Sequence, residues 1–186
     1  MNKTWFTSDL HWCHNRAFIY EPRGFTNIEE MNKKIVQNFS EVVDFDDDLY
    51  ILGDIMLNDN ARGIDLLKQL PGRKHIILGN HDTDARIALY KKCWNVDVLG
   101  YADIIKINGW HFYLSHYPTN TANFEEEFNK KVLINLFGHT HQRNNFYKDI
   151  PYMYHVGLDS HNCYPVEVTE ILKDIESEIN KCKNML

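Results

Sequence analysis

No segment of this sequence approaches the roughly 18 consecutive apolar residues that a membrane-spanning helix needs. Cysteine is scarce: Cys13, Cys93, Cys163 and Cys182 are the only four among 186 residues. No two of them form a C-x-x-C pair, which excludes a zinc ribbon and a thioredoxin-type motif. Basic residues are outnumbered, 20 against 26 acidic, giving a formal net charge of −6 and no basic stripe. That argues against strong nucleic-acid binding through phosphates, but not against an enzyme that handles one phosphate at a time. Low-complexity tracts and internal repeats are absent. The opening Met1-Asn2-Lys3-Thr4-Trp5 enters a strand-like run with no hydrophobic leader, so a cytoplasmic protein with reduced thiols is expected. What is present, 44% hydrophobic and 25% charged residues, suits one globular domain over residues 1–186. One residue type is in excess: there are 10 histidines.

Short apolar runs bounded by turn residues predict strands at Thr4–Ser8, Leu49–Leu52, His75–Leu78, Phe112–Ser115, Val132–Phe137 and Met153–Gly157. Helical spacing predicts helices between them. Ile28, Met31, Ile35 and Phe39 share one face behind a Thr26-x-x-Glu29 capping box. Ala61–Leu70 stops at Pro71-Gly72, Thr83–Cys93 carries Ile87 and Tyr90, and Val168–Cys182 aligns Ile171, Ile175, Ile179 and Cys182. Asn108-Gly109 between two apolar runs is a two-residue hairpin signal. The order is that of an α/β protein with one mixed sheet or two packed sheets.

Five of these strands run into the same chemistry. Asp9 and His11 follow the first, Gly53-Asp54 the second, and Gly79-Asn80-His81-Asp82 the third. His116 follows the fourth, and Gly138-His139-Thr140-His141 the fifth. Ligands in α/β sheets bind beyond the carboxyl ends of strands. Asp9/His11 and His139/His141 are each two residues apart, and in extended chain such pairs project to one side. The preceding glycines allow sharp turns and close backbone approach to an ion or phosphate. Asp9, His11, Asp54, Asn80, His116, His139 and His141 are too many ligands for one tetrahedral zinc, and suit two borderline divalent cations. Such a pair retains positive charge after two aspartates and one hydroxide are counted, which suits a phosphate.

In this order the blocks resemble the calcineurin-like metallophosphoesterase superfamily. The strings Ser8-Asp9-Leu10-His11-Trp12-Cys13-His14-Asn15 and Leu114-Ser115-His116-Tyr117-Pro118 are similar to its small single-domain branch. The resemblance implies a four-layer αββα sandwich of two mixed sheets flanked by helices. It implies one metal on Asp9, His11, Asp54 and His141, and another on Asp54, Asn80, His116 and His139, with Asp54 shared. His81 would serve as proton donor to the leaving oxygen, with Asp82 orienting its ring. The implied enzyme is a phosphoesterase using a metal-bridging hydroxide and two divalent ions, foremost Mn, with Fe, Zn, Ni, Co or Mg as alternatives. Its expected substrate is a small phosphate ester such as a nucleotide or another phosphodiester, with phosphatase, nuclease or non-catalytic scaffold as competing readings.

Asn80, Arg23 and His14 are candidate substrate contacts. Arg23 is a bidentate phosphate clamp or a solvated surface arginine; His14 touches substrate or packs. His75 and His111 begin strands and read as structural, and His155 and His161 lie near the sixth strand. The loops Asn15–Thr26, Asn58–Arg62, Thr119–Asn123 and Asp159–Tyr164 are expected to carry specificity.

Overall fold

The computed structural model describes residues 2–122 and 127–184, the last three of these as backbone alone. Among the described residues nine strands form two mixed sheets. In the first, β1 (Thr4–Thr7), β2 (Asp48–Leu52), β3 (Arg73–Ile77) and β4 (Val96–Gly100) run parallel, and β9 (Val166–Glu167) joins β1 antiparallel. In the second, β5 (Ala102–Ile107) pairs antiparallel with β6 (Trp110–Ser115), which continues parallel to β7 (Leu133–Phe137) and β8 (Met153–His155). The helices are α1 (Ala17–Tyr20), α2 (Ile28–Val42), α3 (Asn60–Gln69), α4 (Asp84–Tyr90) and α5 (Val168–Asn184). The outcome is the expected α/β architecture of two mixed sheets with flanking helices.

Strand alternation explains the layering. Trp5, Leu49, Ile51 and Ile76 point from the first sheet into a cluster with Met31, Ile35 and Phe39 of α2 and Ile64 and Leu67 of α3. Their neighbours Phe6, Leu52 and Ile77 point the other way, onto Phe112, Leu114, Ile134 and Leu136 of the second sheet. Ile171 and Ile175 of α5 join that inter-sheet cluster. Each of these buried side chains contributes roughly 1.5–3 kcal/mol. The Asn108-Gly109 turn forms as expected: both residues have positive φ, 51° and 88°, and Ile107 pairs with Trp110.

Three expectations need correction. The cap of α2 lies one residue later: Asn27 Oδ1 accepts the Glu30 N–H at 2.9 Å, and the Glu30 carboxylate accepts the Thr26 N–H at 2.9 Å. Asparagine is at least as good a cap as threonine, so the reciprocal box shifts by one position. The helix predicted over Thr83–Cys93 is only α4, because the chain turns at Lys91 towards β4. β4, β9 and α1 were not anticipated; β9 is two residues long and exists through pairing with β1. Cys13, Cys93 and Cys163 are buried free thiols, whereas Cys182 and Asn123 fall outside the described side chains. Among the described residues no helix is long and apolar enough to cross a membrane.

Candidate active site

The carboxyl ends of β1, β2 and β3 from one sheet and of β6 and β7 from the other meet at one rim. The loops there are stitched together by backbone. Asp9 N–H donates to the Gly53 carbonyl, His11 N–H to the Asp54 carbonyl and Gly138 N–H to the His116 carbonyl, each at 3.0 Å. Asp9, His11, Asp54, His139 and His141 all have left-handed backbone, with φ between 49° and 68°. Non-glycine residues adopt this region sparingly, so five at one rim mark a built site. The paired residues therefore converge through left-handed turns, not through the extended chain that their spacing suggested. Gly53 makes a sharp turn with φ 88°, as expected, and the three glycines also serve the packing of loop on loop. A Cβ on Gly53 would lie 2.6 Å from Gly79 N, one on Gly79 would collide with the Asp54 carboxylate, and one on Gly138 with Ser8 Oγ and Asp9 Oδ2. They allow motif loops to approach one another.

Asp9 is fully buried. Its Oδ2 accepts from Ser8 Oγ at 2.6 Å and from the His139 N–H at 2.9 Å. Its Oδ1 is buried with no hydrogen-bond partner. His11 Nε2 and His141 Nε2 each lie 3.7 Å from that oxygen and 3.1 Å from each other. Two nitrogens about 2.0–2.1 Å from one ion would be spaced similarly. Asp54 Oδ2 faces three histidines, 3.7 Å from His11 Nε2, 3.5 Å from His116 Nε2 and 3.9 Å from His81 Nε2. Donor atoms of Asp9, His11 and His141 lie within 4.8 Å of one another, as do those of Asp9, Asp54 and His116. His116 Nε2 also lies 3.0 Å from Asn80 Oδ1, and the His139 ring is edge-on to His116 with centroids 5.0 Å apart.

The histidines are oriented from behind. His116 Nδ1 contacts the Leu52 carbonyl at 2.8 Å and His141 Nδ1 contacts Asp159 Oδ2 at 2.9 Å. A proton held on each Nδ1 leaves the Nε2 lone pair facing the site, the arrangement used by metal-ligating histidines. Burial disfavours the His116 cation, but Asp54 and Asp9 outweigh it and push its pKa up to about 9. Burial likewise opposes ionisation of Asp9, yet His11, His141 and His116 hold its carboxyl far below the usual range. Burial lowers the pKa of His11.

A family model for the calcineurin-like phosphoesterase superfamily domain matches residues 3–157. The chain belongs to the calcineurin-like phosphoesterase superfamily. It is 35% identical to the Gene 66 protein of Mycobacterium phage D29, over 95% of this chain and 98% of that one. It is 31% identical to an uncharacterized protein of Methanocaldococcus jannaschii, over 95% and 93% of the two chains. Among solved structures, a protein of unknown function from Aquifex aeolicus superposes with a TM-score of 0.69 at 26% identity, covering 93% of this chain and 99% of its own.

In this phosphoesterase two residues, Asp82 and Arg23, differ from their expected roles. Asp82 does not hold the His81 ring. Its carboxylate accepts the Gly79 and Asp54 N–H groups at 2.8 and 2.9 Å and Tyr90 Oη at 2.8 Å, clamping two motif loops together. His81 is fixed through its backbone instead, donating its N–H to Asp54 Oδ1 at 2.9 Å, while its ring remains 41% exposed in the cleft. Arg23 is not free to clamp a phosphate. Its side chain is 1% exposed, its fork grips Asp159 at 3.0 and 2.9 Å, and it donates to the Asp9 carbonyl at 2.8 Å. His14 is half-buried beside His11, Nδ1 to Nδ1 at 3.4 Å, the packing alternative of its two, and burial beside His11 and His81 lowers its pKa to about 4.

Sequence reasoning missed Ser8 and Asp159. Asp159 stands outside every motif, and only tertiary folding brings it against Arg23 and His141. His75 pairs with Asp48 at 2.9 Å, as a structural histidine should. His155 is buried, with Nδ1 2.8 Å from Ser160 Oγ.

Proposed function

We propose that this phosphoesterase is a dinuclear metal-dependent enzyme of the cytoplasm, acting on a small phosphodiester such as a nucleotide. The observation that carries the reading is Asp9 Oδ1. A fully buried carboxylate oxygen without a partner costs free energy unless a cation completes it, and two imidazole nitrogens face the same point. Asp9, His11, Asp54 and His141 would hold one divalent ion, and Asp54, Asn80, His116 and His139 the other. The approach of Asp54 Oδ2 to both His11 and His116 supports its sharing. Imidazole and carboxylate donors favour Mn, Fe, Zn, Co or Ni over Mg alone, with Mn proposed first. When bound, two such ions clamp the phosphoryl oxygens and lower the pKa of an attacking water.

The chain's own residues supply the rest. His81, anchored by its backbone and exposed to the cleft, donates a proton to the departing oxygen in line with the attack. Asn80, also at the exposed rim, can donate its amide N–H groups to a phosphoryl oxygen. Phe18 and Tyr117 are 69% and 50% exposed. Phe18 stands edge-on to His14, and Tyr117 edge-on to His116 and His139. Two exposed rings flanking the site support an aromatic substituent, such as a nucleobase, on the ester. Between His116 and β7 no helix or strand covers the site among the described residues. Such an open rim has room for the second substituent of a diester, which favours phosphodiesterase over phosphatase activity.

The test compares bis-nitrophenyl phosphate with nitrophenyl phosphate on Mn-loaded wild type, His81→Ala and Asp54→Asn. The expected result is preference for the diester and a loss of about 10²–10⁴-fold in His81→Ala with the fold retained. Undiminished turnover in both variants would overturn the assignment, and a strong monoester preference would make it a phosphatase.

A further inference from the structure

At the opposite ends of β3 and β4 from the catalytic rim lies a cavity of about 390 Å³. Three lysines, Lys68, Lys74 and Lys92, line it together with no carboxylate, although the chain carries a net charge of −6. Lys74 is the informative one. It is 3% exposed, and its Nζ donates to the Gly72 carbonyl at 3.0 Å and to Asn95 Oδ1 at 3.2 Å. Both acceptors are neutral, whereas buried lysines are normally paired with an opposite charge. An ammonium has three donors, so one remains for a further partner. Burial lowers its pKa, the signature of a cation lacking compensation.

The second feature is aromatic. Trp94 and Phe45, 77% and 66% exposed, stack on each other at the cavity with centroids 6.1 Å apart and planes 25° apart. Large exposed rings beside a concavity mark binding surfaces. Lys92 forms no ion pair among the described residues. Lys68 pairs with Asp65 at 3.8 Å, which leaves Lys74 and Lys92 as the cations without a carboxylate, and two nearby acids have other partners. Asp47 accepts from the Lys3 N–H, the Asp44 N–H and Trp5 Nε1, and Asp48 from Arg73 and His75.

We propose that this cavity is a second binding site, separate from the metal centre, for a small planar aromatic anion. The ring would lie on the Trp94–Phe45 pair, and its carboxylate, sulfonate or phosphate would turn towards Lys74 and Lys92. The volume suits a ligand of that size.

The test is a fluorescence titration of the whole protein with anilinonaphthalene sulfonate, against the uncharged phenylnaphthylamine. Saturable one-to-one binding of the anion is expected, about tenfold or more tighter than the neutral probe. Trp94→Ala, Lys92→Ala and Lys74→Met should each weaken the anion several-fold, and the two surface variants keep the test valid if Lys74→Met does not fold. Asp54→Asn should leave the titration unchanged. Equal affinity for the neutral probe, unchanged binding in Trp94→Ala and Lys92→Ala, or loss of binding in Asp54→Asn would each overturn the proposal.

Discussion

Replacing Asp159 by alanine should weaken the fold and the site together. The Asp159 carboxylate receives two bonds from Arg23, at 3.0 and 2.9 Å, and faces His141 Nδ1 at 2.9 Å. Its removal strands a guanidinium whose side chain is only 1% exposed. Breaking a buried ion pair from one side costs about 3–5 kcal/mol. At roughly 2–4 °C per kcal/mol for a domain of this size, the melting temperature should fall by about 6–20 °C. His141 also loses the partner that fixes its tautomer, which should cost about 10–100-fold in metal affinity. Thermal melts read the first effect and calorimetric titration with Mn²⁺ the second. Arg23→Met combined with Asp159→Leu separates them, because it removes both charges: stability should largely return while metal affinity stays low. Burial opposes ionisation of Asp159, yet His141 and Arg23 hold its carboxyl well below the ordinary range. Its contribution is therefore present above the usual carboxylate pKa of about 3.9 and lost as pH falls through the lower folded value. The acid limb of unfolding should be shallower in Asp159→Ala. A melting temperature within about 2 °C of wild type, together with unchanged Mn²⁺ affinity, would refute the reasoning.

Two further perturbations probe other parts of the rim. Burial lowers the His155 pKa to about 4, and its Nε2 has no partner. The unfolded chain gains a proton near pH 6.5 that the native histidine resists, so stability should fall by roughly 3 kcal/mol between pH 6.5 and 4. In denaturant melts of metal-free protein at pH 7 and 4.5, His155→Leu should lose less than wild type; parallel losses would remove the explanation. Gly138→Ala forces a methyl group onto Ser8 Oγ and Asp9 Oδ2. Overpacking of this kind costs about 1–3 kcal/mol, and here it displaces Asp9, so metal affinity should drop with stability. Unchanged calorimetry would show that the loop yields without moving the carboxylate.

The motif chemistry was legible because its residues are local: a strand end, a glycine and a polar side chain stand together in sequence. Short apolar runs and helical spacing likewise revealed the strands that lead into Asp9, Asp54, Asn80, His116 and His139, and the helix behind Ile28 and Phe39. What could not be read depends on tertiary contacts. β9 is held by β1 through two residue pairs. Arg23 was open between a phosphate clamp and a solvated surface arginine, because a loop arginine after Glu21-Pro22 has no visible partner until the chain brings Asp159, 136 residues away, against it. Asp82 stands beside His81 in sequence, yet its carboxylate turns to the Asp54 and Gly79 backbone and to Tyr90. The spacing of two between Asp9 and His11 correctly predicted convergence, but the left-handed turns that produce it leave no periodic signal.

The most direct test is the metal stoichiometry of purified protein, stripped with chelator and titrated with Mn²⁺ by calorimetry, with elemental analysis of the loaded form. The expected result is two ions per chain in wild type, fewer in Asp9→Asn and Asp54→Asn, and diester hydrolysis that returns only as metal is restored. Full hydrolysis by stripped protein free of metal, or no Mn²⁺, Fe²⁺, Zn²⁺, Co²⁺, Ni²⁺ or Mg²⁺ bound at any concentration tested, would contradict a dinuclear centre.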